Sequence, residues 1–132
     1  MRKLLWVAPL VMALAFVGCA PHADDAAEVA SRTAKLYYDA LLEGKYDVFV
    51  AGLDHHLGDV GDYDSLLVAN AKMYVDRQRE AHQGIAAFEV TRVECDDSAH
   101  AANVFLEVHF ADSTKERIVV SIVERDEVWF MR

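Results

Sequence analysis

The order of two hydrophobic periodicities along the chain predicts an α+β fold, with three N-terminal helices packed on a four-stranded antiparallel sheet. Between residues 26 and 83 apolar side chains recur at spacings of three and four, which is the period of helices that bury one stripe. From residue 86 onwards they alternate singly, as in strands with one buried face. Because the strands follow one another with hairpin-length connections, we expect a meander with all helices on one face.

The first helix is predicted over residues 26–43. Asp24 or Asp25 can accept hydrogen bonds from the free N–H groups at its start, and Gly44 can end it in the left-handed conformation. Its apolar side chains form two neighbouring rows, which we expect to face the core. One row consists of Val29, Leu36 and Ala40, and the other of Ala30, Ala34, Tyr37 and Leu41.

Two further helices are predicted before the strands begin. The shorter covers "KYDVFVAGL" and stops at Gly52; its inward residues are Tyr46, Phe49 and Val50. The longer has Asp62 as its N-cap, runs to about Gln83 and is closed by Gly84. The residues that it is expected to bury are Leu66, Leu67, Ala71, Met73 and Tyr74.

Four short segments have the pattern of strands. "AAFEVTRVEC" changes phase between Val90 and Val93, as a β-bulge would make it. "AANVFLEVHFA" and "KERIVVSIVER" alternate regularly, and the "ADST" between them predicts a turn. After a second turn at "RDE", the chain ends with "VWFMR", which we expect to pair with the third strand and to pack against the first helix. The predicted inward residues of the two regular strands are Val104, Leu106, Val108, Phe110, Ile118, Val120 and Ile122.

The order of these segments carries a resemblance. "LLEGKYDVFVAGL", "LLVANAKMYVDRQREAHQGI" and "ANVFLEVHFADSTKERIVVSIVERDEVWFMR" resemble small bacterial lipoproteins that bear a domain of unknown function. The resemblance implies a cystatin-like or nuclear-transport-factor-two-like cone over residues 26–132, in which a curved sheet wraps a long helix. It implies a lipid anchor as well, but no reaction.

The N-terminal segment has the pattern of an export signal. Arg2 and Lys3 precede an apolar run of 14 residues, positions 4–17, whereas a helix that spans the bilayer needs about 20. The run ends in "FVGC", which resembles the lipobox of bacterial lipoproteins, where the cysteine is alkylated with diacylglycerol and the chain is cut before it. We therefore predict a signal peptide at residues 1–18 and a lipidated Cys19 that opens a flexible tether at 19–25. The alternative is an ordinary secretory signal, with Cys19 unmodified.

These assignments place the protein in the bacterial cell envelope, anchored by lipid in the outer membrane, with the periplasmic or surface face left open. Loss of residues 1–18 leaves 114 of the 132 residues, enough for one domain. That part holds 11 basic and 22 acidic residues, a formal net charge of −11, which argues against nucleic acid as a partner. With Cys19 lipidated, Cys95 has no disulfide partner in the chain; we expect it to be buried, the alternative being a reactive thiol.

The segment "DHHLGDVGDYD" contains several possible metal ligands, namely Asp54, His55, His56, Asp59, Asp62 and Asp64. These residue types suit zinc or, for the oxygens alone, calcium. Adjacent histidines diverge in most backbone conformations, however, and the acids lack the spacing of a calcium loop. We expect a solvated loop and predict no metal site, no cofactor-binding residue and no catalytic residue.

Two classes of function stay open at this point. The first is a non-catalytic envelope domain that binds a protein, peptide or glycan partner. The second is a small-molecule-binding or isomerase-like cone, because the same fold houses ketosteroid isomerase. Residue types that could act as acid or base are present at Tyr37, Tyr38, Asp39 and His109, although none matches that enzyme's motif. A concave side of the sheet filled completely by Phe105, Trp129, Met131 and the aromatic residues of the helices would favour the first class, and an open cavity with convergent polar groups the second.

Overall fold

The computed structural model describes residues 21–54, 61–96 and 98–132. Three helices precede four strands, which confirms the α+β prediction; the predictions made for residues 1–20, among them the signal peptide and Cys19, lie outside the described residues. The elements are α1 (Pro21–Leu42), α2 (Tyr46–Ala51), α3 (Gly61–His82), β1 (Ile85–Asp96), β2 (Ala101–Phe110), β3 (Lys115–Arg125) and β4 (Val128–Met131).

The four strands form one antiparallel sheet in the order β1-β2-β3-β4, so the predicted meander is confirmed. β2 and β3 pair in continuous register from Ala101 opposite Val123 to His109 opposite Lys115. The register of β1 against β2 shifts between Val90 and Arg92, which is where the change of phase predicted a bulge. The bulge keeps apolar side chains of β1 on the inner face on both sides of the irregularity.

The core lies between α1 and one face of the sheet. Ala30 and Ala34 are completely buried, and their methyl side chains let the α1 backbone approach the sheet closely. The sheet supplies the larger side chains of this core: Phe88, Val104, Leu106, Val108, Phe110, Val120, Ile122 and Met131. Each large side chain buried in this way contributes about 1.5 to 3 kcal/mol. The predicted inward faces of β2 and β3 are therefore confirmed, with Ile118 partly buried at the margin.

One of the two apolar rows predicted for α1 faces the core along its length, whereas of the other row only Ala40 is buried. Ala30, Ala34 and Leu41 are buried and Tyr37 packs beside them, but Val29 is 41% exposed and Leu36 is 61% exposed. A helix presents a single stripe to a sheet, because successive residues turn by about 100° around its axis. The prediction that Val29 and Leu36 are buried was wrong for that reason.

The buried stripe of α3 is narrower than predicted. Ala71 is buried and Leu67 and Tyr74 are half-buried, but Leu66 and Met73 are 55% and 49% exposed. The reason is that α3 packs mainly on the short α2 and makes few contacts with α1 and the sheet. A helix at the edge of a domain has less surface to cover it, so residues beside the stripe stay in solvent.

The starts of two helices differ from the predictions. α1 begins at Pro21, so residues 21–25, which we assigned to the tether, lie in its first turns. Proline suits the first turn because its φ angle is already helical and the N–H that it lacks would have no helical partner. α3 begins at Gly61, so Asp62 lies inside the helix and is not its N-cap.

The predicted helix ends are confirmed. Gly44 has a φ of 73° just after α1, and the N–H of Lys45 donates to the carbonyl of Ala40 at 2.8 Å. Gly52 is the C-cap of α2, and Gly84 follows α3 with a φ of 110°. Among the helices in the described ranges, none has an apolar stretch long enough to cross a bilayer.

β4 is held on both sides, which confirms its prediction as the closing strand. It pairs with β3 from Ile122 opposite Met131 onwards. On its other side the N–H of Met131 donates to the carbonyl of Gly52 at 2.7 Å, and the N–H of Asp54 donates to the carbonyl of Met131 at 2.6 Å. β4 contacts α1 as well. The last strand is therefore tied to the sheet, to the first helix and to the segment that follows α2.

Candidate ligand pocket

An apolar pocket of about 340 Å³ lies between the three helices and β3. Its lining residues are Tyr38, Leu41, Phe49, Leu53, Leu67, Asn70, Ala71, Tyr74 and Ile118. The volume falls at the lower end of the range of about 300 to 1,000 Å³ that is usual for small-molecule sites. The pocket lies where α3, which packs mainly on α2, faces Ile118 of β3.

Tyr38 is one of the polar residues of this pocket, and two aromatic rings pack against it. It lies in α1, and its ring packs edge-on against Phe49 and Phe88, with ring centroids 5.3 and 5.1 Å away. Burial, together with the neighbouring Tyr74, raises the pKa of the Tyr38 hydroxyl to about 12. The hydroxyl is therefore neutral at physiological pH and can donate one hydrogen bond and accept others.

Tyr74 and Asn70 bring two more polar groups to the pocket from α3. They are four residues apart, so they lie on the same side of the helix, one turn from each other. Burial raises the pKa of the Tyr74 hydroxyl, and the negative charge of Glu116 on β3 raises it further. Asn70 is exposed at the pocket entrance, where its amide can both donate and accept.

The lining residues combine apolar contact with a few hydrogen-bonding groups. Among those that the structure describes there is no carboxylate, imidazole or thiol. A general base at physiological pH needs a group that gives up its proton near neutrality, and the raised pKa values of Tyr38 and Tyr74 move both hydroxyls away from that range. The arrangement is suited to holding a ligand by shape and hydrogen bonds.

The residues that we considered as acids or bases are not brought together. Only Tyr38 lines the pocket. Tyr37 packs its ring against Gly52, and Asp39 forms an ion pair with Lys35 on the surface of α1 at 2.8 Å. His109 lies on the opposite face of the sheet, because it alternates with the buried Val108 and Phe110.

The aromatic and thioether side chains that could have filled the cone are divided between the two faces of the sheet. Met131 is buried and Trp129 packs against the core. Phe105 lies on the outer face, where the guanidinium of Arg92 sits 4.3 Å from the centre of its ring. Phe105 alternates with the buried Val104 and Leu106, which places it on the outer face.

The sequence singled out two further features. In the segment after α2 that holds the possible metal ligands, Asp54 pairs with Arg125 at 2.9 Å, whereas His55 and His56 lie outside the described residues. Cys95 is exposed, so the prediction that it is buried was wrong. It stands near the end of β1, and an edge strand has a neighbouring strand on one side only, so its end is poorly covered.

Asn70 and Leu53 are the pocket residues that sequence reasoning missed. We predicted Tyr74 and Leu67 as ordinary core residues and did not consider that they might line a space. The sequence did contain a signal for Asn70, because its amide lies four residues before Tyr74 on an amphipathic helix. A helix face that packs only against apolar side chains would not need an amide at that position.

No protein-family model and no curated protein matches this chain. Among solved structures, the chain is similar to a crystal structure described as an NTF2-like transpeptidase from Campylobacter jejuni. The two share 17% sequence identity with a TM-score of 0.56, over 74% of this chain and 92% of the other. The similarity establishes an NTF2-like fold.

Proposed function

We propose that this protein is a non-catalytic binding domain, anchored to the bacterial envelope by lipid on Cys19, that holds a small and mostly apolar organic molecule. The observation that carries the proposal is the apolar pocket between the three helices and β3, with Tyr38 and Tyr74 among its lining residues. Its size, its apolar lining and its few polar groups are those of small-molecule sites.

The polar groups define the chemistry of the expected ligand. Two neutral hydroxyls and one amide offer donors and acceptors but no charge, so they favour a molecule with one or two uncharged hydrogen-bonding groups. A charged ligand would lose its hydration without gaining an opposite charge, which is unfavourable in an apolar site. An aromatic or aliphatic body with a hydroxyl, amide or ring N–H fits these requirements.

The absence of a general base from the described lining favours binding over an isomerase-like reaction. Proton abstraction next to a carbonyl needs a carboxylate or an imidazole within hydrogen-bond reach of the substrate. Asp39 and His109, the candidates of those types, lie on the surface of α1 and on the outer face of the sheet.

The lipid anchor rests on the N-terminal sequence. A short cationic start, an apolar run too short to span a bilayer and the order Gly18-Cys19 together support lipoprotein processing. Two or more acyl chains make membrane attachment durable, because each buried CH₂ contributes about 0.8 kcal/mol. The binding domain would then act at the membrane surface.

Indole is a suitable probe for the pocket, because it is an apolar ring with a single N–H donor. We would follow the methyl resonances of Leu41, Leu53, Leu67 and Ile118 in a methyl-labelled protein during an indole titration. Ala71→Leu places three more carbon atoms in the pocket and should abolish the shifts. Ala69→Leu is the matched control, since Ala69 is exposed on the same helix.

We expect saturable shifts of these methyl groups in the wild type and in Ala69→Leu, and none in Ala71→Leu. Shifts that persist unchanged in Ala71→Leu, or that spread evenly over surface methyl groups, would contradict the proposal. A melting curve of Ala71→Leu without indole checks that the larger side chain is accommodated.

A further inference from the structure

We propose that Glu89, Glu107 and His109 form a binding site for one zinc ion on the outer face of the sheet. This face is the one opposite the ligand pocket, so the proposal does not depend on the proposed function. The three residues lie on the paired strands β1 and β2, and one ligand atom of each lies within 4.8 Å of the other two.

The register of the two strands produces the cluster. Glu89 and Glu107 stand directly opposite each other, and His109 is two residues further along β2, on the same face. Like charges directly opposite each other on neighbouring strands are destabilising. On the other side of Glu107, β3 supplies Arg117 directly opposite it and Lys115 at 3.5 Å. The group that lies between the two carboxylates is the ring of His109.

His109 alone compensates the two carboxylates poorly. Its Nε2 atom lies 3.0 Å from Oε2 of Glu89 and 3.1 Å from Oε1 of Glu107. Because one ring nitrogen carries at most one proton, it can donate a good hydrogen bond to only one of the two carboxylates. A metal ion bound to Nε2 would neutralise both carboxylates at once.

The geometry fits zinc with a small adjustment. With Zn–N and Zn–O bonds of about 2.0 to 2.2 Å and tetrahedral angles, ligand atoms lie about 3.3 to 3.6 Å apart. The two separations from Nε2 of His109 are a few tenths of an ångström shorter, the two carboxylates lie within 4.8 Å of each other, and side-chain rotation can adjust both distances. One imidazole and two carboxylates are ligand types that zinc accepts, and three protein ligands leave its fourth position for water.

The surroundings permit access and supply partial burial. The side chains of Glu107 and His109 are 18% and 29% exposed, and that of Glu89 is 63% exposed, so an ion could enter past Glu89. Lys115 lies 3.5 Å from Glu107 and competes for it. Its side chain is 59% exposed, however, and ion pairs of exposed side chains contribute little to stability, so Lys115 can move aside.

The test is a titration of the full-length protein with zinc chloride, in competition with a chromophoric chelator, followed by melting curves with and without the ion. We expect one zinc per chain and a rise of several degrees in melting temperature, because a ligand bound only by the native state stabilises it. His109→Gln and Glu89→Gln should each weaken zinc affinity by at least about tenfold. Loss of a residue that only hydrogen-bonds to a metal ligand already lowers metal affinity by about 10- to 100-fold, so loss of a ligand should cost no less.

Two controls separate this site from other sources of zinc affinity. His100→Gln removes an exposed imidazole that lies 3.9 Å from a single carboxylate, that of Glu124, and should leave binding unchanged. Joint replacement of His55 and His56 by glutamine tests the loop after α2 and should also leave it unchanged. Glu89→Gln changes an exposed side chain, so it tests the site even if His109→Gln disturbs the sheet.

Stoichiometric binding that is lost in His109→Gln and Glu89→Gln and kept in both controls would establish the site. Absence of saturable binding by the wild type would overturn the proposal. It would equally be overturned by affinity that survives His109→Gln, or by affinity that disappears when the loop histidines are replaced.

Discussion

Met131→Ala tests the central role of the last strand in the stability of the fold. Met131 is 2% exposed and belongs to the core cluster, so its truncation removes a fully buried side chain. Burial of a large apolar side chain contributes about 1.5 to 3 kcal/mol to stability, and the variant lacks this contribution. A residual cavity adds to this cost, and measured losses for such truncations are about 2 to 5 kcal/mol.

We expect little collapse of the cavity, because the backbone on each side of Met131 is fixed. Ile122 holds it from β3, and Gly52 and Asp54 hold it from the segment after α2. The free energy of unfolding should therefore fall by about 2 to 5 kcal/mol, a large part of the 5 to 15 kcal/mol that is typical of a domain. Deletion of residues 128–132 should abolish cooperative unfolding altogether.

The assay is urea denaturation followed by far-ultraviolet circular dichroism, with the midpoint and the slope measured separately. Val128→Ala is the matched control, since Val128 lies on the same strand and is 50% exposed. Its effect should be within about 0.5 kcal/mol. Equal small effects of the two substitutions, or a cooperative transition of the truncated protein close to that of the wild type, would refute the reasoning.

Three other substitutions give distinct outcomes. Cys19→Ser should abolish incorporation of labelled palmitate, because the thiol is the proposed acylation site; labelling at the parental level would rule this out. Gly52→Ala should lower thermal stability by about 1 to 3 kcal/mol, because a Cβ there would lie 2.6 Å from the ring of Tyr37; an unchanged melting temperature would show that the ring moves freely. The pKa of Asp112 is lowered from 3.8 to about 2, first by the hydroxyl and N–H of Thr114, so its stabilising effect is present above pH 4 and is lost as the pH falls towards 2. Melting curves should therefore show Asp112→Asn less stable than the wild type at pH 7, with the difference shrinking as the pH falls through 2, and a difference independent of pH would contradict this.

The sheet could be predicted from the sequence in detail, whereas the packing of the helices could not. Alternation along β2 identifies its buried face without ambiguity, because a strand has only two faces, and the change of phase at Val90 located the bulge. On α1 and α3 the apolar residues are spread more widely than the surface available to cover them. Which row is buried depends on the neighbouring elements, as the exposure of Leu36 and Leu66 shows.

The candidate sites were less predictable than the fold, because both depend on distances between segments far apart in the chain. Tyr38 and Tyr74 meet across a space that exists only when α3 is placed over β3. Glu89 and Glu107 become neighbours through strand register, which a bulge shifts by one residue. Periodicity gives the face on which a residue lies, but it does not give the partner that it meets.

The start of α1 at Pro21 has a mechanical consequence for a protein lipidated at Cys19. At most one residue, Ala20, separates Cys19 from the described part of α1. Two residues span at most about 7 Å when fully extended, so the domain could neither drift far from the headgroups nor rotate freely about its attachment. Because α1 would be attached to the membrane at its N-terminal end, the anchor itself would restrict the orientation of the sheet towards the bilayer. Insertion of a flexible segment after Ala20 would release that restriction without touching the folded domain.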